Sequence, residues 1–145
     1  MVEPARTLDI SVPRVIHVTN VGGAGMSAVA TLLAEMGHQV TGHDPLTSSP
    51  FLGPLEAVGV GVRTGPETGD LKADVEAVVI STATPRDHPH LVAARARSIP
   101  VWHRSDALAA LCARRHTIAV AGTHGKTTTS ALLATILASV GAPGW

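Results

Sequence analysis

Hydrophobic and polar positions along the chain alternate between two periods. Val15 to Thr19 is a β-rich run bounded by Pro13 and a glycine cluster, and it reads as a first strand. Beyond Gly25, the apolar positions Met26, Val29, Ala30, Leu33 and Met36 recur at helical spacing, and Gly37 supplies a stop. Gln39 to Gly42 reads as a short second strand ending at His43-Asp44-Pro45. Strand, glycine turn, helix and strand make a βαβ unit, with parallel strands and a right-handed crossover. Residues 1–13, with two prolines and no period, read as an extended lead-in.

The alternation continues with different loops. Phe51 to Val58 is a weak helix, interrupted by Gly53 and Pro54, and Val60 to Arg63 is a short strand. Thr64 to Lys72 reads as loop. Val75 to Ser81 is a continuous apolar strand, the pattern of a parallel sheet covered on both faces. Asp87 can cap a helix reaching about Arg97, with Pro89 tolerated in its first turn. Val101 and Trp102 follow as a short strand. Ser105 then caps a helix through Arg114, with Leu108, Leu111 and Cys112 on its inner face. Thr117 to Ala121 is another buried-type strand, and the helix after it, to about Val140, carries Leu132, Leu133, Ile136, Leu137 and Val140 on one face. The pattern predicts a doubly wound, Rossmann-like α/β fold: a parallel sheet with helices on both faces.

Composition narrows the function classes. With 45% hydrophobic and 15% charged residues, the 145-residue chain can bury a core. Eleven Lys+Arg balance eleven Asp+Glu without a basic block, which argues against binding nucleic acid or a membrane surface through charge. The single cysteine, Cys112, excludes an internal disulfide framework and reads as a small buried hydrophobe. No apolar run approaches the roughly 20 residues of a bilayer span, and the first residues lack a signal-peptide core. These features predict a soluble, cytoplasmic protein.

Two glycine-rich loops carry the candidate chemistry. Gly23-x-Gly25-x-x-Ala28 matches the G-x-G-x-x-G/A fingerprint of nucleotide-binding βαβ units. Small residues let the backbone approach a diphosphate, while the helix start offers free N–H groups. Asp44, at the end of the second strand, can hydrogen-bond a ribose hydroxyl, or simply close the turn before Pro45. The second loop, Gly122-Thr123-His124-Gly125-Lys126-Thr127-Thr128, departs from the strict P-loop spacing because Val120 stands where the first glycine belongs. It keeps the chemical half: Gly125 for the turn, Lys126 for the β/γ-phosphates, and Thr127 or Thr128 for Mg²⁺. A dehydrogenase would need only the first loop and a simple NTPase only the second.

The segments HVTNVGGAGMSAVATLLAEMGHQVTGHD, VVISTATPRDHP, IPVWHRSDALAAL and AGTHGKTTTSALL, in that order, resemble the bacterial Mur ligase family. The likeness runs from about Arg14 to Leu137 and includes the abbreviated phosphate loop. It departs at Asp87-His88-Pro89, where the family usually carries Asp-Asn-Pro. The resemblance implies that residues 1–113 form a UDP-sugar-binding Rossmann-like domain. Residues 114–145 would supply only the first strand, phosphate loop and helix of an incomplete ATPase domain. Gly23, Ala24, Gly25 and Met26 would face the diphosphate and Asp44 the uridine. Ser81 and Thr82 would line the same crevice or merely close a strand end. Gly122, Thr123, His124, Gly125, Lys126, Thr127 and Thr128 would hold ATP, with Lys126 acting in catalysis and Thr127 on Mg²⁺.

The implied reaction is that of the branch whose substrates are UDP-N-acetylmuramate and L-alanine. ATP phosphorylates the muramoyl carboxylate, and the amine of L-alanine attacks the acyl phosphate, in peptidoglycan synthesis. A chain with one complete domain is expected not to catalyse this ligation alone. The alternatives are a UDP-sugar-binding module without turnover and a related muropeptide ligase. A fragment of a nicotinamide-dependent oxidoreductase fits the first loop only, and the second loop argues against it. The histidines stand apart. His17 reads as a packed or edge residue, and His38, His43, His88, His90, His103 and His116 show no metal-ligand spacing, so only folding could bring them together.

Overall fold

The computed structural model describes residues 9–141, so most of the lead-in read over residues 1–13 lies outside it. Ten elements follow one another: β1 (Val15–Thr19), α1 (Ala24–Glu35), β2 (Gln39–Asp44), α2 (Leu52–Ala57), β3 (Gly61–Thr64), β4 (Ala77–Ile80), α3 (Pro89–Ala96), β5 (Val101–His103), α4 (Arg104–Ala113) and α5 (Lys126–Ser139). The five strands form one parallel sheet in the order β3-β2-β1-β4-β5. The chain therefore builds outward from β1 in one direction, then returns to its other side. The Rossmann-like α/β class read from the sequence is the one observed.

Strand alternation decides what each face of the sheet meets. Ile16 and Val18 of β1, Val40 of β2 and Ala77 and Val79 of β4 pack with Met26, Val29, Ala30 and Leu33 of α1 and with Ala107 and Leu111 of α4. Ile16 and Leu33 are fully buried, and burial at that level contributes about 1.5–3 kcal/mol per side chain. On the opposite face Val75, Val78 and Ala94 form a smaller cluster under α3. Beside it, β1 and β2 present buried His17, Thr41 and His43 in place of aliphatic side chains.

The chain divides into two compact units, Met1–Arg115 and His116–Trp145. The first holds the whole sheet. In the second, Thr117 to Ala121 does not form the expected strand. α5 buries no residue, and Leu132, Ile136 and Val140 are exposed. No helix among the described residues is long and apolar enough to cross a membrane.

Several local expectations are corrected. The cap of α3 is His88, not Asp87, with Pro89 as its first helical residue. The cap of α4 is His103, not Ser105: His103 Nδ1 accepts from the Ser105 N–H (3.3 Å), and the Asp106 carboxylate accepts from the His103 N–H (3.2 Å). That reciprocal pair is a capping box built on an imidazole. On α4, Ala107 and Leu111 face inward while Leu108 is exposed, and Cys112 is half-buried. β2 runs on to Asp44, and β4 covers only Ala77–Ile80 of the Val75–Ser81 run.

Candidate functional site

The carboxyl ends of β1 and β4 adjoin where the strand order reverses, the position at which open α/β sheets bind ligands. The first glycine loop leaves β1 there. Its turn is set by Asn20, at φ 49°, and by a Gly23 N–H to Asn20 C=O bond of 3.1 Å. Gly23 caps α1 with extended backbone and no side-chain hydrogen bond. The first turn of α1 thus presents N–H groups and a partial positive charge that no side chain neutralises. Gly23 and Ala24 are exposed and Gly25 half-buried. Met26 is placed differently: its side chain lies in the core and its N–H bonds to Gly23 C=O at 3.0 Å.

Asp44 shapes this loop. Its Oδ2 accepts from the Gly22 N–H (2.8 Å) and its Oδ1 from the Leu46 N–H (2.9 Å), while Ser49 Oγ donates to Gly22 C=O (2.7 Å). A Cβ on Gly22 would come within 2.8 Å of Asp44 Oδ2 and 3.1 Å of Ser49 Cβ, so glycine is needed for the approach. Arg104, the first residue of α4, lays its guanidinium against Gly25. Sequence reasoning missed this cation, because only the folded sheet carries the start of α4 to the start of α1.

Ser81 and Thr82 directly follow β4. The Ser81 Oγ accepts from the Ala83 N–H (3.3 Å), and the Ser81 N–H donates to Thr84 Oγ1 (3.1 Å); Thr82 is exposed. In the second unit Gly125 is left-handed at φ 77° and caps α5. The Lys126 ammonium donates to the carbonyls of Gly122 (2.7 Å) and Thr123 (3.3 Å), folding back over its own loop. Gly122, Thr123, His124, Gly125, Thr127 and Thr128 are all exposed.

A second group of polar side chains gathers on the α3 face of the sheet. Glu67, from the β3–β4 connection, lies with Oε1 3.4 Å from His43 Nδ1 and Oε2 2.5 Å from His88 Nε2. His90 stacks edge-on to His17 (centroids 4.5 Å) and to His43 (5.3 Å), and His17 Nδ1 pairs with Thr41 Oγ1 at 2.9 Å. Burial, reinforced by His90 and Arg63, pushes the His17 imidazole down to about 3. Burial likewise pushes His90 down to about 4, against the upward pull of Glu67. The spacing of these histidines in the chain gave no signal; parallel register and one turn of α3 bring them together.

Residues 15–116 match the sequence profile of the Mur ligase family, catalytic domain. The chain is 52% identical over 126 residues to the UDP-N-acetylmuramate–L-alanine ligase of Rubrobacter xylanophilus, covering 87% of this chain and 28% of that protein. With the enzyme of the same name from Streptomyces coelicolor it shares 48% over 124 residues, covering 86% and 27%. Among solved structures it superposes on the UDP-N-acetylmuramate–alanine ligase of Thermotoga maritima with a TM-score of 0.77 at 31% identity, covering 86% of this chain and 29% of that one. A murein peptide ligase from Psychrobacter arcticus gives 0.80 at 33%, covering 88% and 27%. The chain thus spans less than a third of the length of these relatives.

Proposed function

The chain belongs to the Mur ligase family, and from that premise we propose that its sheet unit binds the UDP part of UDP-N-acetylmuramate for an ATP-dependent ligase that adds L-alanine. The single observation that carries this reading is the start of α1. A helix end without a side-chain cap, fronted by Gly23, Ala24 and Gly25 and flanked by Arg104, suits a diphosphate. Asp44 holds that loop through Gly22 and retains lone pairs for a ribose or uracil donor. Ser81 and Thr82 border the same crevice. Met26 contributes packing under the loop.

In the whole protein the carboxylate of the bound sugar takes a phosphoryl group from ATP, and the L-alanine amine displaces phosphate to form the amide. The second loop fits the nucleotide by its donor set. Gly125 turns the chain into α5, whose first N–H groups face out, and Lys126 can exchange its two loop carbonyls for phosphate oxygens. The Thr127 hydroxyl is the ligand offered to Mg²⁺, which when bound neutralises phosphate charge. Gly122, Thr123, His124 and Thr128 line the same exposed loop. Lys126 stabilises the transferring group electrostatically, and no protein nucleophile is required. Such a ligase works in the cytoplasm, where its soluble substrates are.

Calorimetric titration of the 145-residue chain with UDP-N-acetylmuramate, UDP and NADH tests the reading. UDP-N-acetylmuramate and UDP are expected to bind, both more tightly than NADH. Tighter binding of NADH would assign the loop to a dinucleotide and overturn the proposal.

A further inference from the structure

We propose that His43, Glu67 and His90 form a binding site for a divalent transition-metal ion of the Zn²⁺ class, with His88 as a positioning residue for the Glu67 carboxylate. One ligand atom from each of the three lies within 4.8 Å of the other two. A tetrahedral ion with bonds of about 2.0–2.1 Å holds its ligand atoms roughly 3.3–3.4 Å apart. His43 Nδ1 and Glu67 Oε1 already stand 3.4 Å apart. A small inward movement of His90, on the first turn of α3, completes a three-ligand face.

The unmet polar demand of the pocket points to a ligand. His43 and His90 are 5% and 1% exposed, and His88 is 6% exposed. His43 Nδ1, His90 Nδ1 and both ring nitrogens of His88 are buried without a hydrogen-bond partner. The Glu67 oxygens stand close to His43 and His88, yet neither contact has the geometry of a hydrogen bond. Leaving a buried polar atom unsatisfied costs it its lost hydration, and several such atoms share one pocket here. Among the described residues Glu67 has no ion-pair partner except these imidazoles. The nearby Arg63 is engaged instead with the Asp70 carbonyl (2.6 Å). A cation bound by the carboxylate and two imidazole lone pairs satisfies His43 Nδ1, His90 Nδ1 and the Glu67 charge together.

The donor set selects the ion. Two imidazoles and one carboxylate suit Zn²⁺, Co²⁺ or Ni²⁺, whereas Mg²⁺ and Ca²⁺ take oxygen shells. His88 Nε2 stands 2.5 Å from the other carboxylate oxygen, the place from which an outer partner would orient a metal-bound carboxylate after a small reorientation of its ring. The site pins β2, the β3–β4 connection and α3 to each other. His43 and Asp44 project to opposite faces of the sheet, so the ion lies apart from the glycine loop, and the proposal goes beyond the UDP-sugar reading without resting on it.

The test uses the untagged chain, stripped with EDTA and titrated with ZnCl₂ by calorimetry, with metal content measured after dialysis. One Zn²⁺ per chain is expected, and Co²⁺ in its place should give visible d–d absorption of a low-coordinate site. His43→Gln and His90→Gln should each lower Zn²⁺ affinity by about 100-fold and His88→Gln by about 10-fold; His116→Gln, outside the cluster, should leave it unchanged. Circular dichroism confirms that each variant folds, and Glu67→Gln, on a connecting loop, reads the same loss if a histidine variant does not fold. Absence of saturable uptake, or uptake unaffected by Glu67→Gln and the histidine variants, overturns the proposal. UDP titration in EDTA reads the glycine loop separately.

Discussion

His38 shows how one side chain can tie stability to pH. It is buried in the connection between α1 and β2, and its Nδ1 accepts the Arg14 N–H at 3.2 Å, which requires that nitrogen to be unprotonated. Burial, followed by the charges of Arg14 and Arg114, lowers its pKa below 6.5, with Glu76 pulling weakly the other way. Between that lowered value and 6.5 the unfolded chain binds a proton that the folded chain does not, so stability rises with pH there. The contribution is fully present above about pH 6.5 and is lost as pH falls through the folded pKa. Urea midpoints of the metal-free protein should therefore drop on going from about pH 7.5 to about pH 5. His38→Gln should flatten part of that drop, since it keeps polarity without the titration. An equal drop in the variant would remove His38 from the account.

At the scale of single elements, β2 sets a tight constraint. Gly42 lies opposite Val18 in the parallel register, and a Cβ there would meet Val21 Cβ, Cγ1 and Cγ2 at 2.7–2.8 Å. Val21 is fully buried at the start of the glycine loop and cannot swing away. Glycine inside a strand marks such a close approach. Gly42→Ala is expected to lose about 1–3 kcal/mol by overpacking, measured by urea denaturation, and to displace the Gly22–Asp44 contact. A neutral result would mean that the loop yields without cost.

Elements of this kind were largely legible in the sequence. β1, α1 and the βαβ order follow from period and punctuation, because a glycine stop and a continuous apolar run each have one local meaning. The caps of α3 and α4 were not, because histidine is not among the usual capping residues and His103 caps only through its neighbours Ser105 and Asp106. Thr117 to Ala121 reads as a strand by composition and does not form one, because β-propensity depends on non-local context that no local pattern reports. The glycine loop after β1 and the place of Asp44 at the end of β2 were legible; the Asp44–Gly22 bond, Arg104 and the Glu67–histidine group were not, since their partners meet only across the sheet.

For the molecule as a whole, the two units differ in how much holds them. The first has a sheet packed on both faces. The second has a 14-residue helix, α5, that buries no residue and whose Leu132, Ile136 and Val140 are 61%, 59% and 71% exposed. Isolated helices of about this length are marginal in water, because tertiary packing supplies most helical stability. Hydrogen exchange should accordingly protect the amides of β1, β2 and β4 and leave those of α5 fast. Protection of α5 equal to that of β1, together with tight ATP binding by the 145-residue chain, would show the second unit to be self-sufficient.

The first turn of α1 is closed by no side chain. With a diphosphate seated there as proposed, the ligand takes the place of the missing N-terminal cap of the helix, in effect a removable piece of secondary structure. Stability then stops being a fixed property of the polypeptide and becomes a function of metabolite supply. At a free ligand concentration a hundredfold above its dissociation constant, the folded state gains about 2.7 kcal/mol over the empty one. A cell that runs short of that ligand would hold the same protein at lower stability, and so more open to proteolysis, so that abundance follows ligand supply without any dedicated regulator.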